Sequence, residues 1–249
     1  YTTLFRSTKN IHIDKLRSLA PDLVIANGDY TCDVAGVGVS HPEGRESVLL
    51  CLTKLRKRFG DAFHAIMGDH ELGKISLLGD RGGLRIDSWR HATGECGLKR
   101  FWRLDVGNYV LLGVTSTLLG LPMMHADARP EEWPEWERLR AEHLAEVRNA
   151  FASLKPEQQV LLFCHDPSAL PHLWRDEAVR AKADQIVHTF VGHLHTRLLI
   201  WEAKLLAGMP PVKFLGISIR RMTTGLSQAR LWRPFNVVLC PSLAGIQLA

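Results

Sequence analysis

Leu23-Val24-Ile25-Ala26-Asn27-Gly28-Asp29 is an apolar run that breaks on a glycine and a carboxylate, and its reading decides the fold. A short stretch rich in Val, Ile and Leu, with no polar alternation, reads as a strand buried on both faces, as parallel strands covered by helices are. The same pattern recurs three times. AIMGDHE closes on Asp69 and His70, VLLFCHD on His165 and Asp166, and HTFVGHLH on His193 and His195. Ligands of open α/β sheets gather at the carboxyl ends of the strands. Four separate segments that deliver Asp and His there, each beside Gly or Pro, point to a metal centre.

The intervening sequence supplies the helices such a sheet needs. Ile13, Leu16, Leu19 and Ala20 mark a helix over residues 11–20 that Pro21 ends, and Val48, Leu49, Leu52 and Leu55 mark another over 45–58. A strand is expected over 63–67, a loop carrying a short helix over 79–97, and a hairpin over 101–118 turning at Gly107-Asn108. A long helix over 135–154, a strand over 159–164, a helix over 177–182 and a strand over 187–191 follow. LLIWEAKL, VKFLGISI and NVVLC suggest further strands, with turns at Met209-Pro210-Pro211 and Arg233-Pro234. With no internal repeat or linker, residues 1–249 read as a single α/β domain.

Composition bounds the rest. Hydrophobic residues at 46% and charged residues at 23% are ordinary for a soluble globular chain. No apolar stretch reaches the length of a membrane span, and the N-terminus lacks a signal-peptide core. Five scattered cysteines (Cys32, Cys51, Cys96, Cys164, Cys240) lack C-x-x-C spacing, so a reducing, cytoplasmic compartment is expected. Cys32 and Cys164 read as small buried apolar groups rather than thiolate ligands. The net charge of +5 is concentrated after His195, where Arg197, Lys204, Lys213, Arg220, Arg221, Arg230 and Arg233 face the lone acid Glu202. Solvated surface is the bland reading of that stretch; attraction of nucleic acid or another polyanion is the sharper one.

In an extended segment His193 and His195 project to one side, and neutral imidazole suits divalent transition metals. A carboxylate such as Asp29 has two oxygens and can bridge two cations. Asp33 organises the turn, Asp69 ligates, and His70 is either a proton donor to the cleft or a capping histidine. Glu71 is expected to pair with a base or to cap the following helix. His165 ligates, and Asp166 orients an imidazole by accepting its other N–H. Arg81, Arg85 and Arg90 could meet a phosphate, though solvated side chains explain them as well. Trp133 and Trp136 either line a groove or anchor a helix.

Taken in order, Gly28-Asp29, Gly68-Asp69-His70-Glu71, His165 and Gly192-His193-Leu194-His195 resemble the signature of the calcineurin-like metallophosphoesterases, over about Leu23 to His195. The resemblance implies a four-layer α/β/β/α sandwich with two divalent ions, Mn, Fe, Zn or Co, at the strand ends. Asp29 would bridge them, Asp69, His165 and His193 would complete one site, and His195 would serve the other. The implied activity is hydrolysis of a phosphoester, a nucleotide or other polyanion among the candidates, by a metal-bridging hydroxide with His70 as proton donor. The paired GHLH favours phosphodiesterases over protein phosphatases. The sequence departs from the family pattern at three points. No Asp-x-His precedes Asp29 (His12-Ile13-Asp14 is reversed and lies in the first helix), so the first strand and the C-terminal end are expected to be missing from the chain. Asp69 stands where the family has Asn, and Asp33 follows Asp29 by four residues rather than three. The rival reading is a catalytically idle scaffold on the same fold. Metal storage is disfavoured, since a proton donor would serve no purpose there.

Overall fold

The computed structural model describes residues 2–5, 21–30, 42–73, 83–124, 127–193, 207–208, 210 and 223–240. The described strands form two sheets. In the first, β1 (Thr2–Phe5), β2 (Leu23–Asn27) and β3 (Phe63–Ile66) run parallel in that order. In the second, β4 (Phe101–Val106) pairs antiparallel with β5 (Tyr109–Val114). Strands β6 (Gln159–Cys164), β7 (Ile186–Val191) and β8 (Val237–Leu239) follow in parallel. Strand β1 corrects an expectation. The chain carries a strand ahead of Leu23 after all, with Thr2 to Phe5 in register beside Leu23 to Ala26.

Alternation along the strands sorts their side chains into layers. Val24 and Ala26 of β2 face helices, while Ile25 faces the other sheet. Val160, Leu162 and Cys164 of β6 likewise face helices, and Phe163 points between the sheets. The first sheet is covered by α1 (Pro42–Phe59), whose Val48, Cys51, Leu52 and Leu55 form one apolar stripe, and by α2 (Ile86–Thr93). After a short helix α3 (Ser116–Leu119) comes the long α4 (Trp133–Ala152). Trp136 and Leu139 of α4 pack into the first helix-covered core, and Val147, Ala150 and Phe151 into the second. Helices α5 (Leu170–Trp174) and α6 (Glu177–Arg180) complete the second cover. Between the sheets, Ile25, Ile66, Trp102, Leu111 and Phe163 form a third apolar layer. Trp102 also donates Nε1–H to the Ala65 carbonyl at 2.9 Å, tying β4 of one sheet to β3 of the other. The result is the expected four-layer α/β/β/α sandwich.

Some boundaries differ for visible reasons. The second hairpin strand stops at Val114, because Thr115 turns its N–H to His143 Nε2 at 3.1 Å and its hydroxyl to the Arg100 carbonyl at 2.8 Å. Arg233 and Pro234 sit inside a 3₁₀ helix, Ala229–Phe235, and the turn comes two residues later at Asn236 with φ of 47°. Proline's fixed φ suits a 3₁₀ turn, whereas Asn tolerates the left-handed region that reverses the chain. The expected helix over 11–20, the strands over 198–205 and 212–219, and Met209 and Pro211 of the expected turn lie outside the described residues. Among the described residues, no helix is long and apolar enough to cross a membrane.

His143 gives the fold an acid-sensitive point. It is fully buried on α4, and its Nε2 accepts the Thr115 N–H, so the proton of the neutral ring is on Nδ1, 3.5 Å from Glu146. Burial lowers its pKa from 6.5, against the opposing charge of Glu146. A depressed folded pKa means the contribution is present above about pH 6.5 and lost as the pH falls below it, when the unfolded chain takes up the proton first. The difference in urea midpoint between the wild type and His143→Gln should therefore be largest above pH 6.5 and shrink in acid. A constant difference across that range would contradict this assignment.

Candidate metal centre

The site is built where β2, β3, β6 and β7 end, two strands from each sheet. Past Asn27 the chain enters the left-handed region at two successive residues, Gly28 (φ 80°) and Asp29 (φ 55°). Gly28 is needed there for space as well, since a Cβ would stand 2.7 Å from both Gly68 Cα and His165 Nδ1. Asp is among the side chains that tolerate this conformation, at a cost of about 1–2 kcal/mol that the surroundings must offset. Past β3, Gly68 and Asp69 lead into a 3₁₀ turn, His70–Leu72. Past β7, the N–H groups of Gly192 and His193 both donate to the His165 carbonyl at 2.9 Å, which fastens the end of β7 to the end of β6.

Asp29, Asp69, His165 and His193 each direct one donor atom into a common space, all within 4.8 Å of one another. His165 Nε2 lies 3.1 Å from Asp29 Oδ2 and 3.2 Å from Asp69 Oδ1, and His193 Nδ1 lies 3.5 Å from the same Asp69 oxygen. Both carboxylates and His165 are buried at the floor, whereas the His193 side chain is 29% exposed. His70 stands beside this group with Nε2 4.0 Å from Asp29 Oδ2 and 17% of its side chain exposed, so it and His193 are the more accessible rings of the site.

His165 Nδ1 meets the Asn27 carbonyl at 2.6 Å. A carbonyl only accepts, so Nδ1 carries the proton and Nε2 turns its other valence toward the carboxylates. Burial works to lower the His165 pKa, yet Asp29 and Asp69 overcome it and raise the value to about 10. The potential at this point thus strongly favours positive charge. A buried Nε2 held between two buried carboxylates, with a second imidazole beside them, fits a divalent cation of the transition series.

A family model, calcineurin-like phosphoesterase, matches residues 4–197, more than half of the chain. This protein belongs to the calcineurin-like phosphoesterases. No curated protein matches the chain.

In this calcineurin-like phosphoesterase the structure brings together four of the five residues expected to ligate; His195 lies outside the described residues, as do Cys32, Asp33 and Arg81. His193 reaches the cluster from a turn rather than from an extended strand, because its N–H folds back to His165. One expectation about the supporting residues, that for Glu71, is corrected. Asp166 accepts the Ser168 N–H at 2.8 Å in the turn after β6, and the Asn27 carbonyl meets the His165 ring. Glu71 neither pairs with a base nor caps a helix in the described hydrogen bonds. It is buried and accepts backbone N–H groups of both ligand loops, with its pKa raised to about 7 by burial first and by the Asp29 charge second.

Asn27 was legible in principle, as the one polar side chain in LVIAN, and its Nδ2–H group donates to the Phe190 carbonyl at 3.1 Å. Cys164, next to His165 in sequence, points into the helix-covered core with its thiol pKa raised by burial, which agrees with the apolar reading. Trp136 is fully buried and Trp133 packs on the same core, so both are helix anchors. Arg85 donates to the carbonyls of Leu84 and Asp127, and Arg90 is solvent-exposed on α2.

Proposed function

We propose that this calcineurin-like phosphoesterase is a metal-dependent phosphoester hydrolase whose primary cation site is formed by Asp29, Asp69, His165 and His193. The observation that carries the reading is the convergence of those four donor atoms within 4.8 Å at the strand ends. A bound divalent cation supplies charge neutralisation for the phosphoryl oxygens and acidifies a coordinated water. The chain's own part is to hold that charge in a dry, preorganised place. Asp29 and Asp69 balance the cation from the floor, and the Asn27 carbonyl fixes the His165 ring. The ester would approach on the side of the two more accessible rings, His193 and His70. His70, beside the cluster but not among its four donors, gives a proton to the leaving oxygen.

The finer assignments rest on the same site. A second cation sharing Asp29 would draw on His195, and the mixed carboxylate and imidazole donors suit Mn, Fe, Zn or Co. Exposed Arg230 and Arg233, with the other basic residues after His195, favour a nucleotide or other polyanionic phosphodiester as substrate. Four free, buried cysteines accord with a reducing, cytoplasmic setting and with a single domain that uses no disulfide among them.

The test is hydrolysis of bis-p-nitrophenyl phosphate and p-nitrophenyl phosphate by metal-free protein reloaded with each of the four metals, alongside metal content per chain. Metal-dependent turnover, faster on the diester, is expected. Tight metal binding without turnover on any ester would instead favour the idle scaffold.

A further inference from the structure

Glu71 is three residues from Gly68 and two from Asp69, yet its carboxylate works on both ligand loops at once. Oε2 accepts the N–H of Gly68 at 2.8 Å and the N–H of Asp29 at 2.9 Å, and Oε1 accepts the N–H of Tyr30 at 2.7 Å. The residue is 1% exposed. Successive N–H groups in a turn with left-handed residues form a concavity that binds anions. Here Asp29 and Tyr30 supply such a concavity, and the protein's own carboxylate fills it. The fit leaves no room at Gly68, where a Cβ would lie 2.2 Å from Asp29 Oδ1 and 2.8 Å from Glu71 Oε2.

We infer that Glu71 is a positioning residue for the metal centre: by bridging the Gly28–Tyr30 loop to Gly68, it holds Asp29 in its left-handed backbone and sets the spacing between Asp29 and Asp69. The inference rests on the proposed cation site. The left-handed Asp29 is disfavoured in isolation, and two hydrogen bonds from its own and the following N–H to the Glu71 carboxyl oxygens are the natural offset. Glutamine is the informative replacement. It has the same length, but its NH₂ end can only donate, so one of the two oxygens that now accept is replaced by a donor facing an N–H.

Glu71→Gln is expected to weaken cation affinity about 10- to 100-fold, the range typical for groups that orient metal ligands. Calorimetric titration of metal-free protein with Mn²⁺ and Zn²⁺ reads this without any activity measurement. The visible spectrum of the Co²⁺ form should change as well, and amide exchange at Gly68, Asp29 and Tyr30 should accelerate. A core variant of comparable thermal stability loss, Leu55→Ala, should leave affinity and spectrum as in the wild type. If Glu71→Gln does not fold, Glu71→Asp, which keeps the charge and withdraws the oxygens by one methylene, carries the same comparison. Wild-type affinity and spectrum in the glutamate variants would overturn the inference alone. A wild type that binds no cation would overturn the site reading beneath it.

Discussion

Asp29→Asn should lose cation affinity by about two to three orders of magnitude while keeping its fold. Asparagine preserves the size of the side chain and, like aspartate, tolerates a φ of 55°, so the backbone has no new reason to move. What changes is one unit of charge on a group that is only 3% exposed. Removing one partner from a buried charge cluster costs about 3–5 kcal/mol, and the lower part of that range is about two to three decades in a binding constant. In the metal-free protein two effects oppose each other, since the substitution loses the attraction between Asp29 and His165 but relieves the repulsion between Asp29 and Glu71. The melting temperature without metal should therefore hold near the wild-type value while the metal-induced rise disappears. Chelator competition together with thermal melts distinguishes these effects. Undiminished affinity would remove Asp29 from the ligand set.

His70→Ala tests the other half of the mechanism, and its expected effect is on rate alone. A positioned general acid contributes about 10²- to 10⁴-fold, so kcat should fall by that factor with metal content unchanged. Geometry separates the roles. His70 lies 4.0 Å from Asp29 and is not one of the four convergent donors. The deficit should shrink for esters with acidic leaving groups such as p-nitrophenol, which depart without a proton. A turnover number that does not move, or a parallel loss of bound metal, would show that His70 does not donate the proton.

Much of the fold follows from patterns local to a few residues. The strand over Gln159 to Cys164 has the same bounds in sequence and structure, because the unbroken apolar run Val160 to Cys164 is flanked by polar residues on both sides. Helix α1 extends three residues beyond its expected start and one beyond its end, the usual fraying of a boundary set by turns rather than by the apolar stripe. The hairpin strand that was expected to run past Val114 fails for a non-local reason. Thr115 finds a better partner in His143, 28 residues away. The partner of His165 Nδ1 is equally non-local, since Asn27 lies 138 residues away in the chain.

Alone, the sequence determined the residue types of the site, their order along the chain, and their placement after four buried strands. Those properties depend on hydrophobic periodicity and on the glycines that interrupt it. Only the tertiary structure decided which polar groups meet. The Asn27 carbonyl on His165, the Glu71 carboxylate between two loops and the Trp102 indole joining the sheets all span loops that sequence spacing does not measure. A hydrogen bond is chosen by distance and direction once the chain has packed, whereas burial is encoded residue by residue before it does.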